Sequence, residues 1–166
     1  MNTKKLVTLS MLVAIQVVLS RFVSIQMWNF KVGFGFVPVI IAAIRMGPIE
    51  AGICGAMADF IGAMLFPTGA FFPGFTLTAA LIGVVYGLFL HKEQGIVRVI
   101  SSVVINRVLF TIFLNSLWIS MLYGSPMKAL MTTRLIQRAI IIPVQTVSIM
   151  LLAPLAVRLK KQMNFK

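Results

Sequence analysis

Asp59 stands inside a stretch that is otherwise apolar, and so do two further sets of polar side chains. One set is Arg107, Thr111, Asn115 and Trp118; the other is Arg134, Arg138 and Gln145, with Gln137 at its edge. At about 100° per residue each set falls on one stripe of a helix. A single acid therefore faces three arginines. Two readings of Asp59 stay open: a buried ion pair that holds helices together, or direct contact with a ligand. Either way at least two positive charges lack an internal acid. A ligand anion would supply one counter-charge, and arginine suits a carboxylate because its planar fork pairs with both oxygens. The alternative is snorkelling to water or lipid phosphate, most of all for Arg134, which lies nearest a surface.

A second cluster is aromatic. The segment Phe66-Pro-Thr-Gly-Ala-Phe71-Phe72-Pro-Gly-Phe75-Thr76 holds four phenylalanines, two prolines and two glycines, and no charge. Prolines fix such a loop and glycines permit its tight turns. Its rings must pack on the protein, enter lipid or stack on a ligand. A lid over a flat heterocycle and an interfacial plug both satisfy that. Other chemistry is missing. The chain has no phosphate-cradling Walker loop, so it does not use ATP itself. One histidine (His91) and one cysteine (Cys54, a small packing residue) make no metal cluster. No paired carboxylates and no Ser/His/Asp set exist, so no catalytic residues and no cofactor are expected.

The elements that carry these residues follow from composition. Of 166 residues 60% are hydrophobic and 11% charged, too few charges for a soluble domain. Mean hydropathy is +1.02, so lipid is the solvent for most of the surface. Apolar runs cover about 6–23, 34–46, 49–66, 76–90, 96–123 and 128–157, separated by Gly, Pro or charged breaks. Lipid leaves no backbone group unpaired, which predicts helices. The expectation is an all-α membrane protein: one domain over 1–166, a bundle of six transmembrane helices, and a retained first helix rather than a secretory signal. With the N-terminus inside, the inner segments carry Lys4, Lys5, Arg45, Lys92, Arg98, Arg158, Lys160, Lys161 and Lys166, and the outer ones Arg21, Lys31 and Lys128. Nine against three predicts both termini cytoplasmic. The net charge of +12 is thereby spent on topology and lipid head groups, not on nucleic acid. In the third run Gly52, Gly55, Ala56, Asp59, Gly62 and Ala63 share a smooth face that lets another helix approach closely. Counting about 1.5 Å per residue from the outer ends puts Asp59 and Arg138 at similar depth, roughly 10–12 Å, with Arg107 deeper. Asp59–Arg138 is the expected pair and Arg107 the alternate partner.

The stretch from Gly55 through Asp59 and the Pro-Thr-Gly-Ala-Phe-Phe-Pro-Gly-Phe-Thr76 loop resembles the folate-specific S component, the substrate-binding subunit, of energy-coupling factor (ECF) importers. So do Asn115-Ser-Leu-Trp118, Tyr123-Gly124, Thr133-Arg134-Leu135 and Pro143-Val144-Gln145, in order over nearly the whole chain. The resemblance implies six helices, both ends cytoplasmic, a multi-pass location in the bacterial cell membrane and a vitamin pocket on the outer side. It implies capture of folate outside and delivery inside, with ATP used only by partners: two ATPase subunits and a transmembrane coupling subunit. Such proteins carry Ala-x-x-x-Ala in the first helix for docking to the coupling subunit; here Ser10-x-x-x-Ala14 takes its place. Trp118, Phe71 and Phe72 then suit the flat rings of folate. Asn115, Gln145 or Asp59 suits the pterin edge, and Arg134, with Arg138 and Arg107, the carboxylates. Two other readings remain: an S component for another small anionic vitamin or precursor, or a non-transport membrane assembly protein whose charges only hold helices together.

Overall fold

The computed structural model describes residues 3–27, 30–67, 70–124 and 126–162, with side chains for all of these except 25–27, 30–32, 127–130, 133–134, 136–140 and 159–162. Helix α1 spans Thr3–Arg21, followed by a short antiparallel ribbon, β1 (Ile25–Met27) and β2 (Phe30–Val32), in which Ile25 faces Val32. Then come α2 (Phe36–Arg45), α3 (Pro48–Leu65) and α4 (Pro73–Leu90). Helix α5 (Ile96–Ile105), a π-helical stretch (Asn106–Leu114) and α6 (Asn115–Tyr123) run on as one rod, and α7 covers Met127–Gln162.

Five of these rods are long and apolar enough to cross a membrane: Thr3–Arg21, Pro48–Leu65, Pro73–Leu90, Ile96–Tyr123 and the Ile141–Arg158 part of α7. Their outer faces bear large apolar side chains such as Leu77, Leu88, Val97 and Leu151, each more than half exposed. Water would not tolerate that belt; lipid does. The chain is a multi-pass membrane protein.

The second run, short for a span in the sequence, is shorter still as a helix. Helix α2 has ten residues, about 15 Å, roughly half a hydrocarbon core. It is nevertheless the most enclosed element: Ile40, Ala42, Ala43 and Ile44 are wholly buried, packed with Tyr86, Leu90, Val99, Val103 and Ile149. A helix walled in by protein need not match the bilayer, and the ribbon before it pairs its own backbone. The run expected over 76–90 begins earlier, at Pro73, because a proline in the first turn has its φ already set for a helix and no N–H to leave unpaired.

Two breaks hold where glycine permits them. Gly47, with φ +120°, turns the chain from α2 into α3, and Gly124, with φ +64°, ends α6. Contacts fix the up-and-down order. At one end Lys5 meets Glu50 at 3.5 Å, and the His91 ring nitrogen Nδ1 lies 3.2 Å from the Ala43 carbonyl. At the other end Phe22 packs edge-on against Phe66, with ring centroids 5.1 Å apart.

The smooth face of α3 meets α4, backbone on backbone. A Cβ added at Gly55 would lie 2.5 Å from the Ala79 carbonyl oxygen, and one at Gly83 would lie 2.2 Å from that of Ala51. At Gly87 an added Cβ would meet Pro48 Cα at 2.1 Å. Small residues on both helices thus allow a closer approach than side chains would. Gly83→Ala should therefore cost about 1–3 kcal/mol by overpacking, read as a lower melting temperature in detergent. Gly95→Ala is the control, because its Cβ meets nothing within 4 Å. Equal melting of both variants would show that the two backbones are not in contact.

Candidate functional site

A cavity of about 300 Å³ opens between the helices. Gln16 and Ser20 of α1, Phe36 and Val39 of α2 and Gly55 of α3 form one side. Tyr86 of α4, Asn106, Arg107, Thr111 and Asn115 of the long rod, and Gln145 of α7 form the other.

A chain of hydrogen bonds crosses the polar side. Arg107 Nε donates to Gln145 Oε1 at 2.6 Å, and Gln145 Nε2 donates to Tyr86 Oη at 2.8 Å. Both ends of the Gln145 amide are thereby used and its orientation is fixed; the residue is 2% exposed. The bond to Arg107 takes one N–H of five, leaving donors on a guanidinium that lines the cavity. The π-helical stretch sets which side chains face inward. Wound at i→i+5, it stacks Asn106 under Thr111, and Thr111 Oγ1 donates to the Asn106 carbonyl at 3.0 Å. Asn115 follows one α-turn later.

Above this row sits an aromatic cap. Phe72 lies 5.4 Å from Trp118 and 6.2 Å from Phe75, centroid to centroid. Trp118 Nε1 donates to Thr78 Oγ1 at 3.1 Å, and Thr78 Oγ1 donates to the Gly74 carbonyl at 2.9 Å. Gly74 must be small, because a Cβ there would lie 2.7 Å from the indole. Phe71 is 38% exposed and packs edge-on to Phe60 at 5.8 Å. The Ala70 N–H donates to Tyr123 Oη at 3.4 Å. The loop is thus packed on the bundle by its own rings.

The sequence-derived residues divide accordingly. Arg107, Asn115 and Gln145 line the cavity. Trp118, Phe71 and Phe72 stand in the cap instead. Asp59 does not line the cavity: its Oδ2 accepts from Thr76 Oγ1 at 3.0 Å, which ties α3 to the first turn of α4. The alternate pair Asp59–Arg107 does not form, since Arg107 is engaged by Gln145. The side chains of Arg134 and Arg138 lie outside the described residues, so the Asp59–Arg138 pair is not placed. Ser10 and Ala14 are both exposed, on the flank of the α1 face that buries Leu9, Leu12, Val13 and Val17, and Ser10 Oγ bonds back to the Leu6 carbonyl. Sequence reasoning missed Asn106 and Tyr86. Tyr86 had a signal, because Thr78 and Tyr86, eight apart, share one stripe of α4. Asn106 had none, because an α-helical wheel turns it away from Thr111.

Such a site is equipped to bind. It offers amides, a phenol and a guanidinium beside apolar walls. Among the described residues no group of His, Cys, Asp or Glu could hold a metal ion.

Residues 4–153 match the family of ECF transporter substrate-specific components. The chain is 39% identical over 145 residues to a folate transporter FolT of Clostridium novyi, covering 87% of this chain and 84% of that one. To a folate transporter FolT of Leuconostoc mesenteroides it is 34% identical over 152 residues, covering 87% and 82%. A crystal structure of FolT bound with folic acid superposes with a TM-score of 0.87 at 37% identity, over 92% of this chain and 94% of that one. The S component of a bacterial ECF transporter shares the fold at a TM-score of 0.57 and 24% identity, over 96% and 94%. This chain therefore belongs to the substrate-specific components of ECF transporters, membrane subunits of transport and not enzymes.

Proposed function

We propose that this chain is the folate-binding subunit of an ECF importer in a bacterial cell membrane. The observation that carries the reading is the cavity itself, a space with amides, Tyr86 and Arg107 on one side and Phe36 and Val39 on the other, in a fold that superposes on FolT bound with folic acid. A flat ring bearing polar edges fits that lining. A cation does not, because no acid lines the cavity among the described residues. The amides also weigh against a pure assembly protein, which would have no use for a polar void.

In this reading both termini are cytoplasmic, supported by the nine-to-three bias in lysine and arginine. Six rods make an even number of passes, with α2 and the ribbon together forming the second. The Lys5–Glu50 end is then inner and the aromatic cap outer. The pterin enters first, and Asn115, Gln145 and Arg107 read its edge. Phe71, Phe72 and Trp118 close over it, and Asp59 acts through Thr76 to hold the cap's first turn. The glutamate tail stays at the mouth for Arg134, with Arg138 behind it. A coupling subunit docks on the Ser10–Ala14 face of α1, and two ATPase subunits use the ATP. This chain needs no cofactor.

Purified without added vitamin, the chain should retain a ligand absorbing in the near ultraviolet, and across a vitamin panel it should bind folates best. Tighter binding of another anionic vitamin would reassign the substrate. Arg134→Ala should weaken folate binding roughly ten- to a hundredfold, since a charge-assisted hydrogen bond contributes about 1.5–3 kcal/mol. Pteroic acid, which lacks the glutamate, should be far less sensitive, and equal losses for both ligands would remove the carboxylate role. Ala14→Trp should leave folate binding by the isolated chain intact while abolishing uptake by the full complex. Normal uptake would move the docking face elsewhere.

A further inference from the structure

Asn106 is 1% exposed, lines the cavity, and is not explained by packing alone. Its Nδ2 donates to the Ile82 carbonyl at 3.4 Å. A carbonyl can only accept, so this contact decides which way the amide points: nitrogen toward α4, oxygen away from it. That oxygen, Oδ1, is buried and has no hydrogen-bond partner. Buried acceptors are rarely left unmade in native proteins, because the lost hydration is not replaced. Asn115 Oδ1, farther up the same column, is a second such acceptor. Beside Asn106 in sequence stands Arg107, whose guanidinium lines the cavity and can only donate. The deep wall thus presents acceptor next to donor.

We propose that Asn106 is a specificity-determining residue of the cavity, its carboxamide oxygen accepting a hydrogen bond from an amino group on the deep edge of the ligand. The inference rests on the folate reading above and deepens it. The aminopyrimidinone edge of a pterin carries amino and lactam N–H donors next to a carbonyl acceptor, the complement of Asn106 beside Arg107. A site built to satisfy a buried acceptor rejects a ligand lacking the donor far more strongly than an apolar wall could. The winding of the rod makes this possible. At i→i+5 Asn106 falls under Thr111 and into the cavity; at i→i+4 it would turn toward a neighbour.

The test pairs a ligand change with a residue change. Folic acid is compared with a folate analogue whose 2-amino group is replaced by methyl, on the purified chain and on Asn106→Leu. The unaltered chain should prefer folic acid by about tenfold or more. Asn106→Leu should bind folic acid more weakly and treat the two ligands alike within about twofold, a loss of discrimination that mere loosening of the fold would not produce. Asn106→Ala, which only enlarges the cavity, carries the same expectation should the leucine variant fail to fold. Equal affinity of the unaltered chain for both ligands, or a preference that survives in either variant, overturns the proposal. Failure of the unaltered chain to bind folic acid at all would overturn the folate reading and this inference with it, a result distinct from binding without discrimination.

Discussion

The contact between the backbones of α3 and α4 is the constraint on which the rest of the bundle depends. Gly83 lies against the Ala51 carbonyl and Gly55 against that of Ala79, so neither position has room for a side chain. In lipid there is little hydrophobic force between helices, and close packing of this kind carries their association. The register it sets brings Thr76 to Asp59 and sends Thr78 and Tyr86 toward the other half of the bundle. Trp118 and Gln145 then find their partners on a wall already in place. The cavity is the space left between that rigid pair, the buried helix α2 and the long rod.

Polar groups inside the membrane are arranged by what each can donate or accept. Tyr86, Gln145 and Arg107 satisfy one another in a line, which keeps a guanidinium inside the bundle without an acid beside it. Asp59 is met by a hydroxyl, a neutral donor that asks for no charge in return. Asn106 and Asn115 differ: their amide oxygens are desolvated with nothing to accept from. An uncompensated acceptor at the back of a cavity is a cost of the ligand-free state that a bound donor would remove.

Much of this was legible in the sequence because lipid makes composition speak. Apolar runs, glycine and proline breaks and the small-residue face of α3 all follow from single-residue properties, and each appears in the fold. That the second run is short for a span was legible; that protein and not lipid surrounds it was not. A run of apolar residues looks the same whether lipid or protein surrounds it, and only tertiary packing decides. Asp59's contact with Thr76 was not legible, because charge invites a search for opposite charge and not for a hydroxyl seventeen residues on. Asn106 was hidden by the assumption of 3.6 residues per turn, since the π-helical stretch moves the inward stripe by a residue. The resemblance to a family read through these gaps because it rests on residue order, which already contains the packing.

Helix α7 carries a mechanical consequence. Its 36 residues make a rod of about 54 Å, and Pro143 and Pro154 lie within it. Proline has no N–H to give, so the carbonyl four residues before it loses its partner in the ladder and the ring pushes that turn open. Pro143 sits two residues before Gln145 and close to the start of the apolar Ile141–Arg158 segment. The ladder therefore lacks one bond in the turn that leads into Gln145, immediately before that residue takes hold of Tyr86 and Arg107.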